Sequence, residues 1–431
     1  MRQIVSPPLR LEGEITPPGD KSISHRVAIF NGLARGTARI TNYAPGQDCA
    51  STLACLGALG VEIDKADPTS LTIQGRAGAL QEPADVLNAG NSGTTMRLLA
   101  GVLAGQPFLS ILTGDRSLRS RPMDRVITPL RAMGAQIWGR NGDSLAPLAI
   151  RGGNLQGIIY TLPVASAQVK SCILLAGLFA QGETVVVEPA PTRDHTERLF
   201  QVMGAAILRD GLTVRLKPGV LTAKDVVVPG DISSAAFWLV AGACHPQGRI
   251  TVHGVGVNPT RTGILDALRQ MGARLEMANL REEGGEPVAD ITVSTSTLEA
   301  IEVKGALVPR LIDELPVLAV AACYARGTTL IRDAQELRVK ESDRIATMVR
   351  ELRRMGADIE ELPDGMRIRG PRPLKGAVCR SYGDHRVAMA LAVAGLLARG
   401  ETTILGAECA AVSYPTFWKH LALLTGAQGR G

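Results

Sequence analysis

Six short polar segments each stand at the head of an apolar run, and their residue types suit anion chemistry. They read GDKSISHR (Gly19–Arg26), NSGTTMR (Asn91–Arg97), ASAQVK (Ala165–Lys170), GDISS (Gly230–Ser234), IDELP (Ile312–Pro316) and GDHR (Gly383–Arg386). Asp, Ser and Asn in such places are N-caps, whose side-chain oxygens take up N–H groups that the first helical turn leaves unpaired. Capping does not account for the basic residues. Lys21, Arg26 and Arg386 stand in or beside a first turn that is already positive, where each adds repulsion of roughly a few tenths of a kcal/mol. A bound anion relieves it. Unpaired N–H groups, a Gly93 without a side chain, and converging Lys and Arg make a cradle for phosphate or carboxylate. GDKS is not a nucleotide loop, because it lacks the contiguous Gly-Lys-Ser/Thr and follows two prolines.

Two more stretches are dense in charge. TGDRSLRSRPMDR carries Arg116, Arg119, Arg121 and Arg125, of which Arg121 is the best ligand because Pro122 restricts its backbone. LRVKESDR is expected to put Lys340, Glu341 and Arg344 in one helical turn, with Lys340 and Arg344 on a shared face. Asp313 is expected after an apolar strand, at the start of a buried helix. A carboxylate among Lys and Arg stays ionised and can accept a proton from a substrate hydroxyl.

These segments are positioned by a repeat. A helix ending in Leu or Met, then Gly and a small residue, then a strand, recurs at Gly60, Gly134, Gly204, Gly272 and Gly356, with TGAQ at Gly426 a truncated sixth copy; the glycines lie 68 to 84 residues apart. Interleaved with it are six Ala/Leu/Val-rich helices that are apolar nearly all round and must be buried. They close at Gly36, Gly105, Gly182, Gly248, Gly327 and Gly400, where a C-cap calls for the left-handed conformation. More charged helices such as MVRELRRMGA belong outside. Six units of about 70 residues do not share one core, so they divide three and three, with the boundary near Val228–Gly230.

Composition narrows the partner. The 431 residues carry 47 Lys+Arg against 41 Asp+Glu, a net charge of +6 that favours anions, yet only 3% are aromatic, too few for stacking on unpaired bases. The start, MRQIVSPPLRLEG, has no apolar stretch of a secretory signal, and the longest apolar run, Val387 to Ala398, is 12 residues, short of a membrane span. A cytoplasmic enzyme is expected, touching neither nucleic acid nor membrane. The seven cysteines (Cys49, Cys55, Cys172, Cys244, Cys323, Cys379, Cys409) form no CxxC and read as reduced core side chains, and no HExxH or Cys/His cluster suggests zinc.

Taken in order, DKSISHR, NSGTTMR, SRPMDR, SAQ, TRDHTER, LIDELPVLA, LRVKESDR and YGDHRVAMA resemble the 5-enolpyruvylshikimate-3-phosphate (EPSP) synthase family over essentially the whole chain. The resemblance implies an α/β (α+β) inside-out fold of six βαβαββ repeats with buried helices, three per domain. One domain comprises 1–19 plus 229–431, the other 20–228, with the active site in the cleft between them. It implies transfer of the enolpyruvyl group of phosphoenolpyruvate to the 5-hydroxyl of shikimate 3-phosphate, by a monomer without metal or organic cofactor. Carried over by position, Lys21, Ser22, Arg26, Ser166, Gln168, Arg193, Asp313 and Lys340 bind shikimate 3-phosphate. Lys21, Gly93, Arg121, Gln168, Arg344 and Arg386 surround phosphoenolpyruvate. Asp313, Glu341 and Lys21 handle protons.

Departures are specific. Val412 stands where some members carry Lys, so another cation, Lys340, takes that role. Leu98 and the SAQ segment place the chain apart from the plant and enterobacterial branch. The sister enolpyruvyl transferase for UDP-N-acetylglucosamine shares the fold, but its usual catalytic Cys has no counterpart in TGDRSLRSRPMD. A non-catalytic polyanion-binding protein would leave Asp313 and Glu341 without a role.

Overall fold

The computed structural model describes residues 1–426 and divides into two compact units. One comprises Met1–Pro18, Pro229–Glu282 and the chain from Pro287 onward; the other comprises Gly19–Val228 and Glu283–Glu286. Gly19 and Glu283–Glu286 thus group differently from the sequence expectation. The physical reason for the second is a pair of hydrogen bonds: Glu286 Oε1 meets His195 Nδ1 at 2.7 Å, and the Gly285 carbonyl accepts from Arg198 at 3.3 Å. Of the truncated repeat TGAQ, residues 427 and 428 lie outside the described residues.

Within each unit a strand, a buried helix, a strand, an outer helix and a hairpin succeed one another. In the second unit, Leu87–Asn88, helix Gly93–Ala104, Leu109–Thr113, helix Asp124–Ala132, Gln136–Gly139 and Leu145–Arg151 form one such repeat. Its first two strands pair in parallel, and the hairpin adds antiparallel. The neighbouring sheet repeats the order with Ile159–Thr161, Thr184–Val187, Thr213–Leu216 and Ile207–Asp210. Its counterpart in the first unit is Glu302–Val303, Gly327–Ile331, Gly365–Gly370 and Asp358–Leu362. The remaining sheets borrow strands from distant sequence: Val226–Val227 pairs with Ile40 and Thr41, Leu11–Ile15 with Gly248–Val252, and Arg2–Val5 with Thr402–Leu405.

The six apolar helices are α1 (Lys21–Leu33), α2 (Gly93–Ala104), α3 (Ala167–Gly177), α4 (Ile232–Cys244), α5 (Leu315–Tyr324) and α6 (His385–Leu397). Twelve of the 13 residues of α6 are buried, as are 12 of the 13 of α4, so these helices are cores covered by sheets rather than covers for a sheet. Helix Arg344–Arg354 is amphipathic instead, with Ile345, Met348 and Leu352 inward and Arg353 and Arg354 outward. Gly36, Gly182, Gly327 and Gly400 take positive φ as expected. Gly105 and Gly248 do not. Gly105 has φ −86° and is small because a Cβ would lie 2.3 Å from the Phe179 ring, while Gly248 opens a strand against the Gly242 carbonyl.

The scarce aromatics are concentrated. In the first unit Trp238 of α4 stacks on Phe417 at 5.0 Å and donates to the Tyr414 hydroxyl at 2.9 Å, fastening the C-terminal helix Phe417–Leu424 to the core. All seven cysteines are free, five of them buried. Among the described residues no helix is long and apolar enough to cross a membrane.

Helices α2 and α3 approach so closely that a Cβ at Gly101 would lie 2.2 Å from the Cys172 carbonyl oxygen. Backbone cannot yield as a side chain can, so Gly101→Ala is expected to cost about 1–3 kcal/mol of unfolding free energy by overpacking. Urea unfolding followed by circular dichroism measures it; an unchanged midpoint would contradict this packing.

Candidate functional site

In the second unit, the N-termini of α1, α2 and α3 carry the polar residues. Asp20, Ser92 and Ser166 are N-caps, accepting from Ile23, Thr95 and Val169 backbone N–H groups at 2.9, 3.1 and 3.4 Å. Lys21 Nζ lies 3.1 Å from Asp48 Oδ2, and Ser22 follows it in the first turn of α1. Arg26 is buried and spans helices: Nε donates to Thr196 Oγ1 at 2.8 Å, Nη2 to Ser171 Oγ at 2.8 Å, and Nη1 to the Ser22 carbonyl at 2.9 Å. Burial pulls its pKa down to about 10, partly offset by Glu197, with nearby Arg193 adding to the lowering. It is still a cation at neutral pH.

Gly93 and Gln168 belong to a second strand of contacts. Arg97 donates to Gln168 Oε1 at 2.7 Å and to the Pro122 carbonyl at 3.2 Å, and Gln168 Nε2 donates to Thr94 Oγ1 at 2.9 Å. Arg121, extended after the short 3-10 helix Leu118–Ser120, donates to Asn91 Oδ1 at 2.8 Å. A Cβ on Gly93 would lie 2.8 Å from Arg97 Nη1 and 3.5 Å from Arg121 Nη1. The absence of a side chain there leaves the α2 N-terminus open beside two guanidiniums, the arrangement that suits a phosphate or carboxylate. Arg116 and Arg119, from the same basic stretch, are exposed.

The first unit gathers Asp313, Lys340, Glu341, Arg344 and Arg386. Arg344 is 1% exposed and touches three carboxylates: Asp384 at 2.9 Å, Glu341 at 2.5 Å and Asp313 at 3.4 Å. Burial alone would lower its pKa, but these neighbours hold it well above the ordinary value. Burial likewise opposes charge on Asp384, and Arg344 outweighs it, keeping that carboxyl below its usual range. Arg386 donates to the Asp313 backbone carbonyl at 3.2 Å, with Nε 3.8 Å from Oδ1. Burial lowers the pKa of Lys340, with Asp313 pulling the other way.

Two local expectations are corrected here. Residues 340–344 are not one helical turn: Lys340 is extended at the end of the 3-10 helix Gln335–Val339, and the next helix begins at Arg344 because Asp343 caps it through Ala346 N–H. Asp313 does not follow a strand; it sits in the turn between the short helix Leu307–Leu311 and α5.

Further residues hold these in place. Arg97 closes the NSGTTMR motif one helical turn after Gly93, a legible signal. Asp384 was visible only as a cap, although it also grips Arg344 and accepts from Ser342 Oγ at 3.0 Å. A buried chain of side chains, His25–Thr52–Thr95–Ser92, had no signal in spacing; each link is 2.7 Å and it ends at the α2 cap beside Gly93.

Comparison with known proteins shows the family to which the chain belongs. A family model for EPSP synthase (3-phosphoshikimate 1-carboxyvinyltransferase) matches residues 5–421. The 3-phosphoshikimate 1-carboxyvinyltransferase of Desulforudis audaxviator is 57% identical over 415 residues, covering 96% of this chain and 97% of that protein. The one from Gloeobacter violaceus is 58% identical over 421 residues, covering 97% and 98%. Among solved structures, EPSP synthase from Acinetobacter baumannii is similar, with a TM-score of 0.88, 45% identity and 98% of each chain covered.

His25 gives a pH signature. Burial lowers its pKa from 6.5 to about 3, and Nε2 has no hydrogen-bond partner among the described residues. The unfolded chain takes up a proton below pH 6.5 that the folded chain refuses, so this stability is complete above pH 6.5 and falls by about 1.4 kcal/mol per pH unit below it. Ring proton shifts of His25 should stay constant from pH 8 to pH 4 in NMR spectra; a midpoint near 6.5 would refute the neutral buried ring.

Proposed function

Since the chain belongs to the EPSP synthase family, we propose that it transfers the enolpyruvyl group of phosphoenolpyruvate to the 5-hydroxyl of shikimate 3-phosphate, releasing phosphate, as a cytoplasmic monomer on the route to chorismate and aromatic amino acids. The observation that carries this reading beyond the family name is the position of Asp313. Asp313 lies 3.4 Å from Arg344 and 3.8 Å from Arg386, which supports a role as proton acceptor beside cations suited to anionic substrates. A protein that merely held polyanions would have no use for it.

The two substrates take the residues that the family resemblance assigns to them. Lys21, Ser22, Arg26, Ser166, Gln168 and Arg193 bind shikimate 3-phosphate with Asp313 and Lys340; Lys21, Gly93, Arg121, Gln168, Arg344 and Arg386 bind phosphoenolpyruvate. Lys340 takes the place of the Lys that some relatives carry where Val412 stands. The reaction is an addition followed by an elimination. The 5-oxygen bonds to C2 of phosphoenolpyruvate as its proton passes to Asp313, and C3 takes the proton that Glu341 carries in its neutral acid form, assisted by Lys21. The tetrahedral adduct then returns a proton from that methyl carbon to Glu341 as its C–O bond to phosphate breaks, regenerating the double bond and restoring the acid. Guanidiniums fixed by Asp384, Asn91 and Gln168 need little rearrangement as charge moves to the departing phosphate.

Phosphate should be released from phosphoenolpyruvate only when shikimate 3-phosphate is present; release without it would exclude this reaction. Asp313→Ala should lower kcat by about 10²–10⁴-fold while both substrates still bind, as measured by calorimetric titration. An unchanged kcat would remove Asp313 as the base.

A further inference from the structure

The second unit holds a group of buried charges that the reaction above does not use. Lys170 of α3 is fully buried, with Nζ 3.1 Å from Glu188 Oε2 and 2.6 Å from Glu197 Oε1. Arg209 reaches the same two oxygens at 3.3 and 3.2 Å, so each carboxylate bridges both cations. Thr192 Oγ1 also donates to Glu188. Buried ion pairs are poor sources of net stability, because desolvation consumes most of the attraction and apolar replacements often do as well. What such a group does provide is a fixed geometry, since removing any member strands another charge.

The geometry it fixes leads to Arg26. Glu197 lies in the first turn of helix His195–Val202, next to Thr196, and Lys170 is next to Ser171 on α3. Thr196 Oγ1 and Ser171 Oγ are 2.7 Å apart and form a fork that accepts Nε and Nη2 of Arg26, each at 2.8 Å. With Nη1 bonded to the Ser22 carbonyl, three of the five N–H donors of Arg26 are committed within the protein. One donor on each terminal nitrogen is left, the pair with which a guanidinium grips a carboxylate or phosphate in two-point fashion. Glu188 anchors the start of the segment that carries Arg193, through Lys170, Arg209 and Thr192. Glu197 is also the largest influence favouring the buried charge of Arg26.

We propose that Lys170, with Glu188, Glu197 and Arg209, is the positioning element for shikimate 3-phosphate: it locks the start of helix His195–Val202 so that Thr196 and Ser171 fix the plane of Arg26, and it anchors the segment bearing Arg193. This rests on the reading that Arg26 binds that substrate. None of the four touches substrate; they act through Thr196, Ser171 and the chain around Arg193.

The test compares steady-state constants and melting temperatures of Thr196→Val, Glu197→Gln, Lys170→Met and Arg26→Ala in the full chain. Thr196→Val keeps the side-chain shape and removes only the hydroxyl that accepts from Arg26 and meets Ser171, so it remains informative if Lys170→Met fails to fold. Thr196→Val and Glu197→Gln should each raise KM for shikimate 3-phosphate about fivefold or more, with KM for phosphoenolpyruvate and kcat within about twofold of the parent. Lys170→Met should show the same split, more strongly. If these variants leave KM for shikimate 3-phosphate unchanged while Arg26→Ala raises it, the positioning role is wrong and the substrate assignment stands. Equal rises for both substrates, tracking the melting temperature, would also overturn it as a merely structural effect. If Arg26→Ala itself leaves shikimate 3-phosphate binding intact, the substrate assignment fails.

Discussion

A helix that is apolar on every side can be covered by sheets along its length but not across its first turn, where N–H groups still need acceptors. That constraint orders the polar residues of both units. Five of the six buried helices meet it with an Asp or Ser cap: Asp20, Ser92, Ser166, Asp231 and Asp384. Only α5 begins without one, after the turn that holds Asp313. Because the caps must be polar and the helices are buried, polar groups gather at the helix starts, and the remaining backbone N–H groups make those starts anion-seeking.

Asp384 shows how one side chain can serve both the fold and the site. Its Oδ1 accepts from the Arg386 backbone N–H at 2.9 Å, while its carboxylate grips Arg344, 2.9 Å from Nε. A cap that stabilises α6 therefore also orients the guanidinium that meets Glu341 and Asp313. In this cluster Asp313, Glu341 and Asp384 face Lys340, Arg344 and Arg386, so the net charge of +6 is not expressed as a bare positive patch at this point. The cations are held by carboxylates before any substrate arrives, which fixes their geometry more than it raises the local potential.

The repeat was legible because it is written in residue types with strong local meaning: Ala/Leu/Val runs for buried helices, Gly for left-handed turns, and Asp or Ser for caps. Legibility ended where tertiary contact overrode the local rule. Gly105 and Gly248 are small for lack of space, not for their φ, and no pattern separates those two reasons. The charges around Lys340 fit one helical turn, but Asp343 starts the helix later by capping it. Single site residues such as Lys21, Arg121 and Arg344 stood out by their charge in odd places. Their supports, including Thr196, Ser171 and Asp48, are ordinary polar residues from remote sequence and carried no comparable mark.

The borrowed strands bear on the order in which the molecule can be made. Arg2–Val5 pairs with Thr402–Leu405, and Leu11–Ile15 with Gly248–Val252, so both strands leave a ribosome well before their sheet partners. The three sheets of the second unit, in contrast, are closed by Val226–Val227 and need no strand beyond it. The second unit can acquire its sheets once Val227 has emerged, while Leu11–Ile15 waits for Gly248–Val252 and Arg2–Val5 waits for Thr402–Leu405. For that interval two edge strands are without their ladders, and their exposed charges, Arg2, Glu12 and Glu14, are the kind that discourage pairing with the wrong chain.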